Sequence, residues 1–127
     1  MNNNEINTKL KEIKTENFIW IIYIGIIILS WYSNFLEKKY FLYNDLESKD
    51  KYRKTLILIF SILIIVYLYF FYDSFESFKD LKTCDTQKKK DLTSLSLLAS
   101  TLILISGLIF LYIAIKDEDI NVEIAFN

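Results

Sequence analysis

At 127 residues with a formal net charge of −1, the chain is the size of one domain and lacks the strongly basic face that nucleic-acid binding requires. It has no histidine and a single cysteine, Cys84, which excludes an intramolecular disulfide, Ser–His and Cys–His catalysis and the usual transition-metal sites. Hydrophobic residues make up 53% and charged residues 24%, yet no charge falls within residues 17–36, 55–72 or 92–115.

Those three runs decide the fold class. A helix needs roughly 20 mainly apolar residues to cross a hydrocarbon core of ~30 Å, and the runs are 20, 18 and 24 residues long. From Leu56 to Tyr72 the chain holds 13 Leu, Ile, Val or Phe residues, three Tyr and one Ser. At about −0.3 to −0.6 kcal/mol per apolar residue, insertion of that run is favoured by roughly 4–8 kcal/mol. Buried helices of a water-soluble bundle would keep a polar face, and these runs are apolar all round. The expected fold is an all-α integral membrane protein: three transmembrane helices, up-down-up, with helical extensions beyond the bilayer. The expected layout is a polar N-terminal segment 1–17, spans 18–36, 55–72 and 92–115, links 37–54 and 73–91, and an acidic tail 116–127.

Within residues 1–16, Ile6, Leu10 and Ile13 recur at i, i+4 and i+7 among lysines and glutamates. This pattern predicts a short amphipathic helix on the membrane surface, ahead of the first span. Span one carries Trp20 and Tyr23 near its start and Trp31 and Tyr32 near its end, matching aromatic belts at both interfaces. It lacks a small-residue cleavage site and reads as a retained anchor. Beyond it, Tyr32, Leu36, Tyr40 and Tyr43 keep helical spacing, so the helix is expected to break near Asn44–Asp45. No proline occurs, and both glycines, Gly25 and Gly107, lie inside spans, so long helices with modest links are expected.

Span two leads into YLYFFYDSFESF, residues 67–78, with seven rings in twelve positions. On a helix Tyr67, Phe71, Phe75 and Phe78 fall within an arc of about 80°, with Asp73, Glu76 and Asp80 opposite. The helix is therefore expected to emerge from the bilayer as an amphipathic extension, its rings on the interface or on a neighbouring helix. The three acids could hold a divalent cation, but a solvated face is the simpler reading. Lys88, Lys89 and Lys90 precede span three, fewer than the four to eight cations of a lipid-binding cluster.

In span three, Ser96, Ser100, Gly107 and Ala114 follow one another at +4, +7 and +7. Small and hydroxylated residues allow close backbone approach in lipid, so this stripe is the expected helix-packing face, towards spans one and two or a second copy. Asp91 is the expected N-cap. In the tail, Ile120, Val122, Ile124 and Phe126 alternate with other residues, a strand period without a partner strand in this chain; a disordered tail is expected, and addition to the sheet edge of a partner is the alternative.

Lys and Arg number three in the N-terminal segment, six in the first link, five in the second and one in the tail. An N-terminus inside places eight on the cytoplasmic side against seven outside, which is a tie. Span one favours the first link inside and span three the second, so insertion in both orientations stays open beside the expected N-terminus inside. With two widely separated glycines there is no phosphate-cradling loop, and with no ionisable residue inside a span there is no sign of an ion path. The composition implies no enzyme, no cofactor, no metal and no small-molecule substrate. The expected partners are the lipid bilayer and another membrane protein, or a second copy. The richness in Ile, Lys and Asn matches the coding bias of an AT-rich genome, such as a bacterial one. The function expected is that of an accessory or regulatory subunit in a cell membrane. In size and span count the chain is also similar to small phage holins, which would make it a pore-forming permeabiliser, and to membrane-embedded bacteriocin immunity proteins; no motif is shared.

Overall fold

The computed structural model describes residues 2–122. Three helices account for most of them: α1 (Asn3–Tyr43), α2 (Leu46–Lys79) and α3 (Gln87–Lys116). Each is long and apolar enough to cross a membrane. At 1.5 Å per residue, the 41 residues of α1 and 34 of α2 extend to about 61 and 51 Å, well past a ~30 Å hydrocarbon core.

Side-chain chemistry fixes where each helix begins and ends. Asn2 caps α1, accepting a hydrogen bond from the Glu5 amide at 2.8 Å while Glu5 accepts one from the Asn2 amide at 3.3 Å. Nothing then interrupts the helix for 41 residues, since no proline is present and Gly25 sits in regular helix. The N-terminal segment is thus continuous with span one rather than a separate surface helix. Asn44 ends α1 in the left-handed conformation, φ 52°, a backbone state asparagine tolerates better than most residues. Asp45 immediately caps α2 through the Glu47 amide, and the Ser48 hydroxyl donates to its other oxygen at 2.9 Å. The break expected near Asn44–Asp45 is a turn of those two residues.

The α2 helix continues to Lys79, seven residues beyond the apolar run. The next turn is closed by Asp85, which accepts from the Lys82 amide at 2.8 Å, and Thr86 caps α3 by accepting from the Lys89 amide. The cap expected at Asp91 is therefore corrected to Thr86. Asp91 lies inside the helix, where it accepts from the Gln87 side chain. A hydroxyl five residues earlier satisfies the free amides first, and the intervening lysines are good helix formers.

Contacts between elements run in inverse order, so neighbouring helices are antiparallel. Lys49 stands over the Tyr40 ring, whereas Asp73 faces Glu12 and Glu16. Likewise Arg53 reaches Ile115 and Ser74 reaches Ser96. The central element is α2, packed against both others, while no α1 Cα lies within 8 Å of an α3 Cα. Buried positions repeat this division. On α2, Tyr52, Leu56, Ile59, Phe60, Leu63 and Val66 make a broad stripe at steps of three and four; α1 buries Ile19, Ile26 and Ser33 at steps of seven.

Past α3, Asp117 accepts hydrogen bonds from the Asn121 and Val122 amides, at 2.9 and 2.7 Å, and Ile120 turns back onto the core with φ 55°. No strand forms among the described residues, and Ile124 and Phe126 of the alternating pattern lie outside them. Those two hydrogen bonds, followed by the charges of Arg53 and Lys49, hold the Asp117 carboxyl below its ordinary value. The folded form therefore binds this proton less tightly than the unfolded chain does. The stabilisation is present above the ordinary aspartate range and is lost as pH falls through and below it. NMR amide signals of Asn121 and Val122 should keep their protection from exchange at neutral pH and lose it on acidification, and Asp117→Asn should weaken that protection at neutral pH.

Candidate functional site

The seam between α2 and α3 carries the chain's most specific geometry. At one end, Arg53 Nη2 donates to the Ile115 carbonyl at 2.9 Å, and Lys49 pairs with Asp119 at 3.2 Å. The carbonyl is one that α3 cannot satisfy itself, because it lies in the last turn. Further along, Ala114 is buried and the rings of Phe60 and Phe110 lie 5.6 Å apart. At mid-span Gly107 meets Tyr67. A methyl group at Gly107 would sit 3.0 Å from the Tyr67 ring, so an alanine there forces the ring to move. At the far end the Ser74 hydroxyl lies 2.8 Å from that of Ser100 and 3.3 Å from that of Ser96.

The sequence stripe thus has a definite location. Ser96 and Ser100 bond to α2 through Ser74, and Gly107 and Ala114 are the buried residues of α3. Ser74 carries one signal in the sequence: it follows Tyr67 at i+7 and so shares its face.

The aromatic positions divide. Tyr67 turns into the seam. Phe71 and Phe75 stack with centroids 6.2 Å apart, and Lys79 stands 5.5 Å over Phe75. Phe75 and Phe78 remain exposed. The rings do not converge into a cage. Of the acids beside them, Glu76 pairs with Lys79 and Asp80 ends the helix. No three groups suited to a metal come together among the described residues. Lys89 and Lys90 are tied to Asp85 and to the Thr83 carbonyl, so the lysine run is in part a loop fastening.

Because α1 and α3 stand apart on α2, the inner side of the seam is open. One cavity of about 450 Å³ is lined by Phe60, Tyr67, Leu102, Ser106, Gly107 and Phe110. A second, of about 320 Å³, shares Tyr67 and Ile103 with it and reaches Tyr23, Asp73, Ser74, Ser96 and Ser100. Partial loss of hydration at this mouth, together with the facing carboxylates of Glu12 and Glu16, raises the Asp73 carboxyl above its ordinary value; Lys9 opposes the shift.

A second exposed feature lies at the opposite end of the molecule. Around the Asn44–Asp45 turn, Phe41, Leu42, Tyr43 and Leu46 are 63%, 63%, 75% and 67% exposed. Compared with protein-family models, curated proteins and solved structures, the chain matches none.

The two glycines separate packing from propensity. Gly107→Val should weaken the α2–α3 pairing by about 1–3 kcal/mol, the range for overpacking. Gly25→Ala, where an added methyl group meets nothing within 4 Å, should be neutral or slightly stabilising. Thermal unfolding in detergent micelles, followed by circular dichroism, compares them; equal losses would contradict the seam described here.

Proposed function

We propose that this is a three-span membrane protein that works without catalysis, as an accessory or regulatory subunit that binds another membrane protein or a second copy of itself. The observation that carries the reading is the apolar turn at Phe41, Leu42, Tyr43 and Leu46. Span one ends near Leu36, and each further residue advances about 1.5 Å. Tyr43 is therefore about 10 Å beyond the hydrocarbon edge, past the ~5–8 Å that headgroups occupy on each side. Lipid tails do not reach this depth, and contiguous apolar side chains in water mark a binding surface. Lys38 and Lys39 rim the same surface and share a cavity of about 280 Å³ with Phe35, Leu42 and Tyr43. An apolar centre with a charged rim is the ordinary anatomy of a protein–protein interface.

A photo-crosslinking amino acid at position 43 tests this in membranes of expressing cells. The expected product is a defined protein adduct, either a heterologous partner or a dimer of this chain, which disappears in a Phe41→Asp, Leu46→Asp variant that still inserts. Adducts to lipid alone would refute it. Collapse of the membrane potential on expression would instead favour a pore-forming role.

The orientation we propose places the N-terminus in the cytoplasm, on the balance of Lys and Arg between the two sides. The exposed thiol of Cys84 then faces the cytoplasm. An impermeant maleimide should label it only after permeabilisation, and ready labelling of intact cells would reverse the assignment.

A further inference from the structure

The two cavities on the open side of the α2–α3 seam form one groove, since Tyr67 and Ile103 line both. Its axial length follows from the helix rise. From Phe60 to Asp73 is 13 residues, or about 20 Å. One leaflet of the hydrocarbon core is about 15 Å deep, and Asp73 is the first residue after the apolar run. The groove therefore starts at headgroup level and ends just past the membrane midplane. Its inner part is walled by Phe60, Leu102, Gly107 and Phe110, its mouth by carboxylate and hydroxyl oxygens.

The charges at the mouth select the head. Asp73 faces Glu12, Glu16 and Lys9, all from α1. Lys9 lies 3.7 Å from Glu12 and is engaged there. Three carboxylates against one ammonium attract a cation and repel an anionic headgroup. The Ser74, Ser96 and Ser100 oxygens supply further acceptors within the same cavity. An ammonium has three donors and no acceptor, which suits a mouth rich in acceptor oxygens.

We propose that this groove binds one aminophospholipid from the adjoining leaflet, its primary ammonium at Asp73 and one acyl chain along Tyr67, Leu102, Gly107 and Phe110. The site lies at the opposite end of the molecule from the apolar turn, so it stands or falls separately from the partner-binding reading. Asp73 orients the head, and the Ser74, Ser96 and Ser100 hydroxyls hold the α2–α3 seam together beside it.

The test uses the full chain in bilayers containing equal amounts of phosphatidylethanolamine and phosphatidylglycerol with identical acyl chains, followed by native mass spectrometry of the released protein. Phosphatidylethanolamine should be retained over phosphatidylglycerol by about fivefold, the factor expected for one favourable headgroup charge at a membrane surface. Asp73→Asn should bring the ratio close to one without loss of helical signal. If that variant does not fold, Glu12→Gln with Glu16→Gln on the N-terminal arm provides the same reading and should lower the ratio. Ser106→Phe, at an exposed position of the groove, should reduce retention of both lipids. Equal retention of the two lipids by the native chain, retention of neither, or a preference unchanged by the charge substitutions would each overturn the proposal.

Discussion

A hydrocarbon solvent removes the force that normally drives helices together, because lipid tails are as apolar as leucine. What remains is close backbone approach, hydrogen bonding and the demand that backbone polar groups find partners within the protein. The α2–α3 seam uses each in turn. Gly107 allows the Tyr67 ring to reach the α3 backbone surface, and Ala114 does the same near the other end. Ser74 joins two hydroxyls across the seam, and Arg53 takes up the Ile115 carbonyl where the α3 ladder runs out. Hydrogen bonds of this kind between membrane helices average about 0.6 kcal/mol, so no single contact holds the seam. Their value lies in register: four contacts along one line fix the height and rotation of α3 against α2.

The α1–α2 pairing has a different origin. A turn of two residues leaves α1 and α2 almost no freedom to separate at that end, and Asn44, Asp45 and Ser48 hold its geometry. Along the seam α1 offers Ile19, Ile26, Ser33 and Leu36, whereas Trp20, Ile24, Ile28 and Trp31 face outwards. A short covalent tether keeps the two helices at high effective concentration. Between α2 and α3 the turn is longer, and a denser set of specific contacts makes up for it. With α1 and α3 each committed to α2 and not to one another, the groove between them follows from this connectivity.

How much of this is legible in the sequence depends on the range of the interaction. The three apolar runs and the absence of proline dictate three long helices. The left-handed tolerance of asparagine beside a capping aspartate marks the Asn44–Asp45 turn, because both signals are local. The N-terminal segment reads as a separate amphipathic helix, since hydrophobic spacing identifies a face and says nothing about continuity with the next segment. Thr86 and Asp91 are both competent caps of α3 by residue type, and the Lys82–Asp85 turn chooses between them. The stripe Ser96, Ser100, Gly107 and Ala114 is visible as a pattern, but its partner is not. Ser74 and Tyr67 become its counterpart only once two antiparallel helices are set in register, and a single chain of letters does not contain that number. Asp73 reads as one acid of a solvated face; its place at the mouth of a cleft, beside α1, is a tertiary fact.

Charge is balanced rather than scarce at both ends of the molecule. Residues 37–54 and 116–127 together carry seven basic and eight acidic side chains, and residues 2–16 and 73–91 carry eight of each. Much of this charge closes on itself locally: Lys51 pairs with Glu47, Lys54 with Asp50, Lys79 with Glu76 and Lys89 with Asp85, all at helical spacing. Such exposed pairs contribute little to stability, but they leave neither end with a field strong enough to steer a partner. Discrimination must then come from shape and from the few groups that local pairing does not absorb. One end presents an apolar turn of Phe41, Leu42, Tyr43 and Leu46, the other an acid-mouthed groove at Asp73. On the two proposals made above, ends nearly equal in net charge and unlike in chemistry would let one small chain meet a protein on one side of the bilayer and a lipid on the other.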